Sequence, residues 1–204
     1  MDDAATRIGN DEKVGGMSLI EPSLWQTAIE LQRFLESSEF KVIFIGGIVV
    51  QRWGEPRVTG DVDATILVEF GTESRAAAEV LKRYQSRIDD AISFAIQARI
   101  LLLQDLRGNK IDLSLGGMPY EERLWSRSSL WQVPGLGHIR TCSAEDLIIL
   151  KAFASRPQDW IDVKNIIIRQ GNRLDRELIS SELSILAELK EEPEIMTQLD
   201  QLFQ

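Results

Sequence analysis

Histidine and cysteine are nearly absent from this chain of 204 residues, with one of each. A lone cysteine, Cys142, excludes an internal disulfide and fits a reducing compartment. A lone histidine, His138, sits in a Gly/Pro-containing stretch and gives no basis for a His-centred triad or a zinc site. Basic charge is also in short supply. There are 23 Lys+Arg against 32 Asp+Glu, a formal net charge of −9, which argues against a protein built chiefly to wrap nucleic acid. Long apolar runs are missing too. The longest, around 41–50 and 98–103, are too short to span a bilayer. Residues 1–17 are polar and lack an apolar signal core. The expectation is a cytoplasmic protein without membrane attachment, with 1–20 as a flexible tail.

What remains is ordinary globular material, 44% hydrophobic, long enough for one core and a helical appendage. Pro22 suits the first position of a helix, and Leu24, Ala28, Leu31 and Leu35 follow at helical spacing, predicting a helix over Pro22–Ser37. "KVIFI" reads as a strand ended by Gly46-Gly47, with "IVVQRW" opening a short helix. "DVDATILVEF" reads as a second strand, "TESRAAAEVLKRYQSRID" as a helix, and the second half of "ISFAIQARILLLQDL" as a strand. "RGNK" is a turn before a returning strand, "IDLSL". Residues 116–137 read as a loop with one helical turn, and "HIRTC" as a short strand. Ser143 caps a helix over Ala144–Ala154, and Pro157 and Gly171 bound the next. Two further helices complete the chain. The expected class is α+β: an α/β core at 21–140 and a helical region at 141–204.

Three acids fall on these strands. Asp61 and Asp63, at i and i+2, project to one side about 6.6 Å apart along the backbone. Asp112 comes from a later strand, with Ser114 on the same side of it. Each alone reads equally as a turn or solvated residue. Together they form an oxygen-only set suited to Mg²⁺, or Mn²⁺. The N–H groups at Gly46-Gly47 suit an approaching phosphate. Arg52 and Arg57 are candidate phosphate contacts, and Thr59 puts a hydroxyl beside the acids.

The glycine pair after a strand, "RVTGDVDATI" and "KIDLSL" together resemble the nucleotidyltransferase (polymerase-β-like) superfamily over roughly residues 40–115. "EDLIILKAFASRPQDWIDVKNII" resembles the abortive-infection (AbiEii-type) branch. The resemblance implies a nucleotidyltransferase-like mixed β-sheet with flanking helices and a helical C-terminal region. It implies Mg²⁺ on Asp61, Asp63 and Asp112, and an NTP substrate. It makes Lys151 a triphosphate contact and Asp159 and Asp162 its partner acids, with Arg156 beside them. It implies transfer of a nucleotide to an acceptor hydroxyl on RNA, tRNA or protein, in toxin components of toxin–antitoxin pairs with a cognate protein partner. Three alternatives stay open: a small-molecule (aminoglycoside-like) acceptor, an antitoxin-type enzyme modifying a toxin protein, and a non-catalytic nucleotide-binding module.

Overall fold

Leucines at helical spacing behind Pro22 form α1 (Pro22–Ser37), which buries Leu24, Ala28, Leu31 and Leu35. The computed structural model describes residues 21–133 and 135–204, so the tail expected over 1–20 lies outside the described residues. β1 (Val42–Phe44) leads into α2 (Gly46–Trp53), and β2 (Asp61–Leu67) pairs antiparallel with β1. α3 (Glu73–Val80), β3 (Gln85–Ser86) and α4 (Ala91–Ala98) precede β4 (Ile100–Gln104) and β5 (Lys110–Gly116). α5 (Pro119–Arg127), β6 (Ser129–Val133) and β7 (Gly137–Thr141) follow. The chain then runs through α6 (Ala144–Ala154), α7 (Pro157–Gln170), α8 (Arg176–Lys190) and α9 (Glu194–Leu202).

The strands form one mixed sheet in the order β3-β4-β5-β2-β1-β7-β6. β2/β5 and β1/β7 are parallel, and the other neighbours are antiparallel. Alternation sets the faces. Val62, Ala64 and Ile66 of β2 and Ile111, Leu113 and Leu115 of β5 are fully buried, while Asp61, Asp63 and Asp112 are only half-buried.

Two polar clusters fix the parts that carry the site. The turn between β4 and β5 is tied to α1: Thr27 Oγ1 donates to Asp105 Oδ2 at 2.6 Å, Asn109 Nδ2 donates to Thr27 Oγ1 at 2.9 Å, and Arg107 pairs with Glu30 at 2.7 Å. α2 is tied to the C-terminal helices: Gln170 Nε2 donates to the Trp53 carbonyl at 2.6 Å, and Trp53 Nε1 donates to the Cys142 carbonyl at 2.9 Å.

Three expectations change. The helix expected over 72–89 stops at Val80, because Tyr84 is buried against Phe34 at a ring separation of 5.7 Å and Gln85–Ser86 pair with β4. Sheet pairing there overrides helix propensity. α4 occupies a stretch read only for its strand, capped by Asp90, whose side chain accepts from the Ser93 N–H. The loop expected at 116–137 contains α5 and β6. Pro119 opens α5, and Glu121 turns back to accept from the Met118 N–H at 2.8 Å.

Candidate active site

The parallel β2/β5 register sets Asp63 directly beside Asp112, with Asp61 two residues before Asp63 on the same side. Oxygens of all three carboxylates lie within 4.8 Å of one another. Each carboxylate has its own donor. Thr59 Oγ1 donates to Asp61 at 3.1 Å, the Gly47 N–H donates to Asp63 at 3.4 Å, and the Arg87 guanidinium pairs with Asp112.

The glycine pair is explained by this packing. Gly46 has φ +67°, and a Cβ there would lie 2.0 Å from Asp63 Oδ2. A Cβ on Gly47 would lie 2.3 Å from Thr59 Oγ1. The absent side chains leave room for the Asp63 carboxylate and the Thr59 hydroxyl against the start of α2.

Burial, then the negative charges of Asp61 and Asp112, pushes the Asp63 carboxyl up to about 6. The three acids fit a divalent cation. They supply hard oxygen donors, and their mutual repulsion is what such an ion relieves.

A cavity of about 470 Å³ opens over the acids. Its wall includes Gly46, Gly47, Arg57, Thr59, Asp61, Asp63 and Asp112, together with Lys151, Arg156 and Asp159 from the C-terminal helical region. Ile45, Ile100, Leu147 and Leu150 give it an apolar part. Two residues singled out from sequence are not on this wall. Arg52 instead joins α2 to the sheet, donating to Thr141 Oγ1 at 2.7 Å and to the Ser129 carbonyl at 3.2 Å, with its guanidinium over the Trp53 ring. Asp162 lies behind the wall, where it anchors Arg57 and Lys151.

Lys151 is buried, with Nζ 3.0 Å from Asp159 and 2.6 Å from Asp162. Arg57 grips Asp162 through Nε and Nη2, each at 2.8 Å. Burial opposes the charge on Asp162, but the hydrogen bonds from Arg57 and Lys151 outweigh it and hold its carboxyl below the usual range. Asp159 keeps one oxygen, Oδ2, buried and without a partner. Arg156, exposed at the start of α7, makes no ion pair among the described residues. Replacing Lys151 with alanine is expected to destabilise the fold by about 3 kcal/mol, because Asp159 is left buried without its cation and Asp162 keeps Arg57 and the Gln158 amide but loses its second cation. Urea unfolding of the variant measures this. A variant as stable as the wild type would mean that the buried network carries no weight.

Sequence reasoning missed Arg87, Ile100, Leu147 and Leu150. Arg87 had no detectable signal, since only the β3–β4–β5 pairing brings it to Asp112. The leucines were read as ordinary helix residues.

No protein-family model matches the chain, and no curated protein is found to match it. Solved structures do. An antigenic nucleotidyltransferase-like protein from Paracoccidioides brasiliensis superposes with a TM-score of 0.50 at 15% identity, covering 89% of this chain and 94% of that one. The antibiotic-resistance factor ANT(2'')-Ia superposes with a TM-score of 0.55 at 15% identity, covering 84% of this chain and 97% of that one. The lincosamide antibiotic adenylyltransferase LnuA, in a lincomycin-bound form, gives 0.45 at 12% identity, over 72% of this chain and 96% of that one. At these identities the likeness is one of fold.

Proposed function

With the nucleotidyltransferase-like fold as premise, we propose that the protein is a metal-dependent nucleotidyltransferase that moves a nucleoside monophosphate from an NTP to an acceptor hydroxyl. One observation carries the reading: Asp61, Asp63 and Asp112 converge in the lining of a cavity that Lys151 and Arg156 also line. Mg²⁺ or Mn²⁺ bound by the acids would supply positive charge for the triphosphate. Asp112 accepts the proton of the acceptor hydroxyl. The oxygen so exposed attacks the α-phosphorus, the bond from that phosphorus to its bridging oxygen breaks, and pyrophosphate leaves. Arg156 meets the leaving phosphates, and Lys151 holds Asp159 and Asp162 in place beside them. The apolar wall at Leu147 and Leu150 suits a base or ribose face. Catalysis rests on positioning and fixed charge, with no covalent intermediate on the protein.

The finer reading, an AbiEii-type enzyme acting on RNA, tRNA or a protein and paired with a cognate protein, is supported by Lys151, Arg156, Asp159 and Asp162 in one segment. A small polycationic acceptor is a second reading, favoured by the net charge of −9 and by the pairing of Arg57 and Lys151 with acids. ANT(2'')-Ia, an antibiotic-resistance factor of the same fold, is consistent with it.

The test is label transfer from each α-labelled NTP with Mg²⁺ to cell RNA, cell protein, or aminoglycosides. Label in RNA or protein supports the first reading, and label in an aminoglycoside supports the second. No transfer to any acceptor, with no Mg²⁺–NTP binding by calorimetry, overturns both.

A further inference from the structure

We propose that the protein forms a two-fold dimer in which the outer face of α7 of one copy receives the outer face of α8 of a second copy. The inference is independent of the nucleotidyltransferase reading.

Both helices leave apolar side chains in water. On α7, Ile161 is 52% exposed and Ile168 68%, and on α8, Ile185 is 55% exposed and Leu189 65%. Ile161 and Ile168 are seven residues apart, and Ile185 and Leu189 four apart, so each pair lies on one helix face. These outer stripes add nothing to the core. α7 already buries Val163 and Ile166 on its inner side, and α8 buries Ile179, Leu183 and Ala187. Both helices pack against α6.

Charge divides between the two outer faces. From Arg156 to Arg173 the chain has two acids, Asp159 and Asp162, and both turn inward to Lys151. What α7 shows to solvent is basic: Lys164, in the same arc as Ile161 and Ile168, and Arg169 beside them. Arg169 donates to the Gly54 carbonyl, which leaves its positive charge unbalanced. α8 is the reverse. Glu188 lies in the arc of Ile185 and Leu189, and Glu191 follows at the helix end. Neither makes an ion pair among the described residues, and the lone base of 177–204, Lys190, pairs with Glu192.

The chain thus carries a basic apolar stripe and an acidic apolar stripe on two helices of one region. Exchange between two copies satisfies both at once: α7 meets α8 of the second copy, and α8 meets its α7. Lys164 then opposes Glu188 of the partner subunit, and the four aliphatic side chains of the two stripes leave water in each half of the contact.

The test is sedimentation velocity of the full chain from about 1 to 200 μM, a span that covers weak and firm dimers, for the wild type, Ile168→Glu, Lys164→Glu and Glu188→Lys. A wild-type dimer is expected, loosened by high salt. Ile168→Glu should weaken it by about 10²-fold or more, because a charge would be buried in the seam. Each charge reversal alone should weaken it by about ten-fold, because like charges then meet in both halves. Mixing Lys164→Glu with Glu188→Lys should restore the wild-type constant, because the mixed dimer opposes unlike charges in both halves. All three positions are exposed, so the variants should keep the wild-type circular dichroism. If Ile168→Glu does not fold, the two reversals and their mixture decide. A monomer at every concentration overturns the proposal, as does a dimer indifferent to the substitutions. Failure of the mixture to recover overturns the α7–α8 pairing. Loss in Lys164→Glu without loss in Glu188→Lys overturns it in favour of α7 meeting α7. Assemblies that grow beyond a dimer overturn the two-fold closure. A monomer that binds tRNA and loses it in Lys164→Glu overturns the dimer and gives the basic face to RNA.

Discussion

Asp63→Asn is expected to lower nucleotide transfer by about a thousand-fold or more and, at the same time, to raise the melting temperature of the metal-free protein at neutral pH. The first effect follows from removing a carboxylate from the set that would hold the cation, a contribution of several kcal/mol to the transition state. The second follows from the sign of the Asp63 shift. Its carboxyl ionises near 3.8 in an unfolded chain and at about 6 in the fold. The folded form therefore holds the proton more tightly. The penalty is absent below pH 4, grows as the pH rises from about 4 to 6, and is complete above that. Its size is on the order of 1–3 kcal/mol, reduced by the partial exposure of the site. For a chain of this length that is a melting difference of about 3–8 °C. Asparagine keeps an oxygen for the Gly47 N–H and removes the repulsion. In chelator, the two proteins should melt alike near pH 4 and separate by pH 7, with the variant higher. Added Mg²⁺ should raise only the wild type. Parallel melting curves from pH 4 to 8, with equal response to Mg²⁺, would remove Asp63 from the site.

Gly46→Ala is expected to cost about 10²-fold or more in transfer although no charged residue is replaced. Two effects combine. The residue sits at φ +67°, where alanine is disfavoured by about 1 kcal/mol. Its Cβ would also fall 2.0 Å from Asp63 Oδ2 and 2.6 Å from its Cγ, so the carboxylate must move. Placement errors near 1 Å in a reacting constellation are worth about 10²-fold. Gly47→Ala should be milder, since its Cβ meets the Thr59 side chain, which can turn away. Gly60→Ala is the control: it adjoins Asp61, but a Cβ there meets nothing within 4 Å. Activity measured beside Mg²⁺-dependent melting separates a displaced carboxylate from general instability. Wild-type transfer by Gly46→Ala would show that the close approach to Asp63 has no functional meaning.

Elements with strong end signals were legible in the sequence. Pro22 opens α1, Ser143 caps α6 and Pro157 opens α7, and the readings of their extents agree with the structure. The acids were legible because aspartate in an otherwise apolar strand is anomalous, and the pairing of β2 with β5 could be guessed from the third acid. The job of Gly46-Gly47 was read only in part. The sequence suggested an approach to phosphate, whereas the nearest neighbours are Asp63 and Thr59, a contact that needs coordinates to see. Arg52 was misplaced because a basic residue between two motifs looks the same whether it faces the cavity or the Thr141 hydroxyl. Arg87 was invisible because a two-residue edge strand has no period, and its meaning depends on register across two strand pairs. Residues 116–137 hid α5 and β6 because tryptophans and arginines there follow no regular spacing, although Pro119 with Glu121 was a helix start.

The parallel pairing of Asp63 with Asp112 also bears on synthesis. All three carboxylates are in the chain once β5 is made, whereas the segment from Lys151 to Asp162 comes only with α6 and α7. At about 5–20 residues per second, the ribosome separates the two by several seconds. During that interval the nascent chain holds the three acids but lacks the part of the cavity wall that α6 and α7 supply. The two halves of the cavity wall are thus separated in synthesis, and a chain that ends before α6 would carry the three acids without Lys151, Arg156 or Asp159.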